Sequence, residues 1–230
     1  MVVAGEGFEH VVYWHAGRKP SSILNIYLDG DGRPWRVGKP SDDPTPRNPL
    51  VLDLMSLDPN PAAYLGRPCY HSLAEAPGCG PALWTSARYG LPVVESMATA
   101  ARRLLEHEGY AGVRWFGYSG GGALAMLLAP RVEGTVLVVT VAANLDVERW
   151  ARLHAYTPLS GSLNPATAPP LPPHVRQRHY AGARDDVVPP AVVTAAPVPR
   201  ESVVIVPRYD HVCCWKDMWP AILSDATDPR

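Results

Sequence analysis

The chain has 230 residues, of which 47% are hydrophobic and 19% charged. That is a globular composition, long enough to bury about 70–75% of the unfolded surface, and it excludes a disordered chain. Lys+Arg is 21 against Asp+Glu 22, for a formal net charge of -1, so a general electrostatic grip on nucleic acid or anionic lipid is excluded. The 26 prolines and 19 glycines fall below the share that marks low complexity, and they read as loop residues of an ordered protein.

No run of about 20 apolar residues is present, so no transmembrane segment is expected. The longest uncharged apolar stretch, Trp115 to Pro130, is interrupted by Gly117-Tyr118-Ser119-Gly120-Gly121-Gly122. Residues 1–7 carry neither a basic n-region nor an apolar h-region, so no signal peptide is read there. The compartment follows from that start: cytoplasmic if it is native, periplasmic or cell-envelope if a signal segment has been removed. Oligomeric state is not encoded in any pattern here.

In chain order, Phe8 to Trp14 alternates weakly and predicts a first strand. Ile23 to Leu28 is a short apolar run halted by Asp29-Gly30-Asp31-Gly32, a buried strand ending in a turn. Lys39 to Pro49 predicts a loop, Leu50 to Leu57 a helix, and Ala63 to Tyr70 another strand. Val93 to Glu108 is the clearest helix: Met97, Ala98, Ala101, Leu104 and Leu105 recur at helical spacing, and Gly109 closes it. Val113 to Tyr118 is a strand and Gly120 to Leu128 a small-residue helix stopped by Pro130. Thr135 to Val141 is β-branched and apolar on both faces, the mark of a central parallel strand. Val175 to Tyr180 and Ser202 to Val206 are strands, and Trp215 to Leu223 is a terminal helix. Strands alternating with helices predict an α/β protein with a mostly parallel sheet and helices on both faces. One domain over 1–230 is expected. Residues 144–173, long and rich in Pro, Ser and Thr, are a candidate lid.

Gly117-Tyr118-Ser119-Gly120-Gly121 fits the pattern Gly-x-Ser-x-Gly, with a strand running in and a helix running out. Such a turn is so tight that its flanking positions must lack side chains, and it presents the serine hydroxyl at the strand's end. The helix N-terminus behind Ser119 favours a developing oxyanion. A serine needs a base, and His211, just past the last predicted strand, is the candidate. The base needs an acid, which Gly182-Ala183-Arg184-Asp185-Asp186-Val187-Val188-Pro189 supplies at Asp185. Ser119, Asp185 and His211 each follow a different strand, on the edge where open α/β sheets bind ligands.

These residues resemble an α/β-hydrolase over most of the length. The family's acid-loop pattern Gly-x-x-Asp-x-x-Val-Pro matches Gly182, Asp185, Val188 and Pro189, which favours Asp185 over Asp186. Within the superfamily the chain is similar to a group of small bacterial hydrolases, many of them lipoprotein-like. The matching stretches are Asp29-Gly30-Asp31-Gly32-Arg33-Pro34-Trp35, Asp43-Pro44-Thr45-Pro46-Arg47-Asn48-Pro49, Arg67-Pro68-Cys69 and His211-Val212-Cys213-Cys214-Trp215. Family members often carry His-Gly after the strand that here ends at Leu28; Asp29-Gly30 replaces it. The resemblance then implies that the backbone N–H of Asp31 pairs with that of Gly120 as oxyanion hole, with Gly32 the alternative. The Asp31 carboxylate is expected to point away, held by Arg33 or Arg36.

The implied activity is hydrolysis of a small-molecule carboxylic ester through an acyl-enzyme, with no cofactor and no metal. Peptidase, amidase or thioesterase chemistry by the same triad is the alternative. A binding protein on the same scaffold would be expected to lack a triad member. No extended charged specificity pocket stands out in the sequence. Cys69 and Cys79 read as a disulfide or as two thiols, depending on compartment. Cys213 and Cys214 read as buried small hydrophobes rather than metal ligands, with a bond between the two left open. Trp150 and His154 are placed in the lid lining an acyl pocket, and Trp84 to Tyr89 as a possible border. His10, His15, His71, His107, His174 and His179 read as surface or core side chains.

Overall fold

A computed structural model describes residues 1–227. In chain order it contains β1 (Val2–Ala4), β2 (Glu9–His15), β3 (Ile23–Leu28), β4 (Trp35–Arg36), β5 (Lys39–Pro40), α1 (Leu50–Ser56) and β6 (Ala62–Leu65). There follow α2 (Leu91–Glu108), β7 (Gly112–Tyr118), α3 (Gly120–Leu128), β8 (Thr135–Val141), α4 (Val147–Leu153), β9 (Arg176–Gly182), α5 (Pro190–Thr194), β10 (Val203–Val206) and α6 (Trp215–Thr227). Eight strands form one sheet in the order β1-β2-β6-β3-β7-β8-β9-β10, while β4 and β5 pair separately. From β6 to β10 all neighbours are parallel; β1 and β2 add an antiparallel edge.

Side-chain alternation divides the sheet between two cores. Leu24 and Ile26 of β3 and Trp115 of β7 face α2 and α3, where they meet Met97, Ala101, Leu104 and Leu124. Tyr27 and Phe116, their neighbours in sequence, face α1 and α6 and meet Leu54, Trp215 and Trp219. Tyr27 and Phe116 stack with ring centroids 4.9 Å apart. Both faces of the central strands are therefore covered, as their unbroken apolar runs require. Helix α2 ends at Gly109, whose φ of 74° is the left-handed turn that glycine adopts without strain.

Three local expectations shift. The strand expected over Ala63 to Tyr70 stops at Leu65, because Pro68 has no N–H and the chain turns through positive φ at Cys69, His71 and Ser72. The loop expected from Lys39 begins with the two residues of β5, hydrogen-bonded back to β4. Val2–Ala4 adds a short outer strand ahead of the expected first one.

Candidate active site

Strands β3, β7, β9 and β10 run parallel, so the loops that follow them share one edge of the sheet. Asp31 follows β3, Ser119 follows β7, Asp185 follows β9 and His211 follows β10. Ser119 sits in a sharp turn at φ 52° and ψ -122°, a conformation a side-chain-bearing residue adopts only when its surroundings impose it. The surroundings do so. Its N–H donates to the Val141 carbonyl at 3.0 Å, and its own carbonyl accepts from the N–H of Gly122 at 3.0 Å and of Asn144 at 3.1 Å. A Cβ at Gly117 would strike the backbone of Gly121 and Gly122, and one at Gly121 would strike the carbonyls of Leu28 and Asp29. The glycines are there because strand, turn and helix touch.

His211 Nε2 lies 3.1 Å from Ser119 Oγ, and its Nδ1 lies 2.9 Å from Asp185 Oδ2. Asp185 is buried, and its other oxygen accepts from the N–H groups of Val187 at 2.9 Å and Val188 at 2.7 Å. Those bonds fix the carboxylate; the carboxylate fixes the imidazole with Nδ1 as donor, which leaves Nε2 as acceptor toward the serine. Asp186 is exposed and takes no part in these contacts. The carbonyl of His211 is held in turn by the Tyr118 hydroxyl at 3.1 Å and the Trp215 indole N–H at 3.1 Å. Asp210 Oδ1 accepts from the N–H groups of Val212 and Cys213, which shapes the turn after the histidine.

The loop after β3 is clamped from below. Asp31 Oδ1 meets Arg67 Nη2 at 2.9 Å, Oδ2 meets Arg88 Nη1 at 2.8 Å, and the Tyr89 hydroxyl donates at 2.7 Å. The expectation that Arg33 or Arg36 would hold this carboxylate is corrected: both point elsewhere, and the partners come from the turn after β6 and the segment before α2. Pairing of residues so far apart in sequence leaves no local signal. Burial alone would raise the Asp31 carboxyl, but the attraction of Arg88 and Arg67, with the Tyr89 hydrogen bond, brings it down to about 2. Its charge is thus opposed by two cations. The carbonyls of Asp29 and Asp31 accept from Arg67 at 3.2 Å and the Tyr70 hydroxyl at 3.1 Å. Gly120 packs directly on the Asp31 carboxylate and the Tyr89 hydroxyl, so the two residues expected to offer oxyanion N–H groups lie side by side. Among the described residues neither N–H donates to a protein acceptor. Asp29 accepts from the Gly30 N–H at 2.7 Å; burial pushes its carboxyl up to about 6 against that bond and the nearby Arg67.

A cavity of about 1150 Å³ opens over Ser119 and His211. Trp35, Tyr118, Trp150, Tyr156 and Leu159 give it an apolar wall. The segment 144–173 supplies Trp150, Tyr156 and Leu159, with the Trp150 indole donating to the Val187 carbonyl at 2.7 Å. His154 stacks on Tyr156 and bonds Val187, so it supports the wall from behind. Thr85, Ser86 and Arg88 of the Trp84 to Tyr89 segment border the same space. The sequence offers Trp84 to Tyr89 only as a possible border and gives no sign that Arg67, Arg88 and Tyr89 hold Asp31. Cys213 and Cys214, expected to be buried, are exposed and half-buried respectively and are joined to each other. Cys69 and Cys79 are likewise joined, tying down the turn that presents Arg67. Of the remaining histidines, His10 and His179 are buried, bonded to Ser96 and Thr140.

No protein-family model matches this chain, and no curated protein sequence matches it. Solved structures do. An α/β serine hydrolase without a lid from Xanthomonas campestris superposes with a TM-score of 0.63 at 11% identity, over 100% of this chain and 95% of that one. Mouse α/β-hydrolase domain-containing protein 10 gives 0.60 at 14%, over 98% and 96%. Proline iminopeptidase of Mycobacterium smegmatis gives 0.64 at 12%, over 98% and 97%. At these identities the likeness establishes architecture. The chain has the α/β-hydrolase fold, as the sequence resemblance implies.

Proposed function

We propose that the protein is a serine hydrolase of one domain that cleaves carboxylic esters. The observation that carries this is the continuous chain Ser119–His211–Asp185, with contacts of 3.1 and 2.9 Å. Ser119 Oγ attacks the ester carbonyl as His211 Nε2 takes its proton. The N–H groups of Asp31 and Gly120 hold the oxyanion; losing one such donor costs about 3–4 kcal/mol of transition-state stabilisation. His211 returns the proton to the departing alkoxide, which leaves an acyl group on Ser119. A water then attacks the acyl carbon, its proton passing to His211, and the carboxylic acid departs with Ser119 regenerated. Asp185 keeps the imidazole in the useful tautomer and stabilises the imidazolium. The chemistry needs no cofactor. Residues 144–173 act as a partial cover over the acyl group.

The test is turnover on a panel of 4-nitrophenyl esters, lipids, aminoacyl amides and acyl-CoA thioesters. Esters are expected to be cleaved fastest, with a burst of nitrophenol when acylation outpaces deacylation. Ser119→Ala is expected to lower kcat by at least about a thousandfold. Undiminished turnover in that variant contradicts the proposal, and a dominant rate on amides or thioesters reassigns the substrate bond.

A further inference from the structure

Two guanidinium groups border the catalytic cavity and take no part in the reaction described. Arg33 and Arg47 both line it, and both are exposed. They lie far apart in sequence but on touching segments. The Arg33 N–H donates to the Pro44 carbonyl at 2.8 Å, and Gly32, at φ 66°, packs on Pro44 and Pro46. This closure brings the two arginines to one rim. Arg33 stands two residues beyond Asp31, so at most about 7 Å of chain separates it from the proposed oxyanion donor. Among the described residues neither side chain has an ion-pair or hydrogen-bond partner.

The charges deeper in the site are matched. Asp31 is paired with Arg67 and Arg88, Asp29 accepts from the Gly30 N–H in the field of Arg67, and Asp185 is committed to His211. Among the described residues Arg33 and Arg47 are the cavity-lining cations without a carboxylate partner. A cleft with apolar walls focuses such a field, and guanidinium groups bind oxyanions bidentately. Trp35, two residues after Arg33, also lines the cavity and offers an aromatic side chain for the body of the ligand.

Taking the ester-hydrolase reading of the preceding section as its basis, we infer that the substrate is an ester that carries an anionic group beyond an apolar body. Arg33 and Arg47 hold that group at the cavity mouth. The same rim repels an ammonium group, so esters with a free amine are poor substrates.

The experiment compares matched esters that differ in one charge. The 4-nitrophenyl monoester of suberic acid is paired with 4-nitrophenyl octanoate, which places the charge on the acyl side. A 4-acyloxybenzoate is paired with its methyl ester, which places it on the leaving group. Ser119→Ala supplies the blank. In at least one pair kcat/KM for the anion is expected to exceed that for the neutral ester by about tenfold at low salt, and the advantage shrinks as ionic strength rises. Arg33→Ala/Arg47→Ala is expected to bring the ratio to about one. Arg36→Ala, on the same hairpin but outside the cavity, keeps the wild-type ratio. Ratios near or below one in both pairs, or ratios that survive the double variant, overturn the inference while leaving Ser119-dependent turnover of neutral esters intact. Binding of the same pairs to Ser119→Ala, read by quenching of tryptophan fluorescence, measures the preference without chemistry. It therefore separates failure of this inference from failure of the ester-hydrolase reading.

Discussion

Asp31 carries two tasks at once. In the proposed mechanism its backbone N–H serves the oxyanion, while its carboxylate is fixed to Arg67, Arg88 and Tyr89. A bare carboxylate near a developing oxyanion would oppose catalysis; two cations beside it remove that cost and turn the side chain into an anchor. Asp31→Asn leaves Arg67 and Arg88 buried without their anion. It is expected to cost about 3–5 kcal/mol of stability. In the protein that still folds, kcat falls more than KM rises, because a loosened donor is felt at the transition state. Denaturant melts and steady-state kinetics on one variant measure both, and a fall confined to KM contradicts the role. The contacts of Ser119, His211 and Asp185 are anticipated by the sequence because each residue follows a recognisable strand. The Asp31 clamp is not, since Arg67, Arg88 and Tyr89 come from distant turns that no periodicity links to Asp31.

Gly121 shows how closely the elements around Ser119 constrain one another. A methyl group there would meet the carbonyls at the end of β3, so α3 and the Asp31 loop would have to part. Gly121→Ala is expected to lower kcat/KM by about a hundredfold, since a displacement near 1 Å in the reacting groups has that effect. Gly109→Ala is the contrast, at the left-handed end of α2 on the opposite edge of the sheet. It is expected to lose about 1 kcal/mol of stability with kcat unchanged. Equal kinetic effects from the two would contradict the packing argument. The central elements could be read in advance for physical reasons. Thr135 to Val141 and Ile23 to Leu28 are buried on both faces and so remain apolar without a break. The strand expected over Ala63 to Tyr70 ends sooner in the structure, because apolar content continues past the point where Pro68 and a string of positive φ values turn the chain. The two-residue pairing of β4 with β5 is too short to leave any pattern.

The whole molecule carries a pH signature independent of catalysis. His10 and His179 are buried neutral, and burial lowers both to about 4. Between about 6.5 and 4 the unfolded chain takes up protons at these histidines that the folded protein does not, so stability falls as pH drops through that window. Each contributes on the order of 3 kcal/mol at the acid limit. Asp29 acts in the opposite sense, since its folded carboxyl accepts a proton below about 6 and the unfolded one only below about 4, but it offsets one histidine at most. The melting temperature is expected to fall steadily from pH 7 to 4.5, and more shallowly in His10→Gln; a flat profile contradicts this balance. The proposed catalysis, by contrast, rests on a convergence of three loops from separate strands. Exposure to a fluorophosphonate, followed by mass spectrometry of the intact chain and its peptides, tests that convergence most directly. A single adduct on Ser119, absent from Ser119→Ala and strongly slowed in His211→Ala, is the predicted result. A folded protein that stays unmodified, or carries the adduct on another residue, would contradict it.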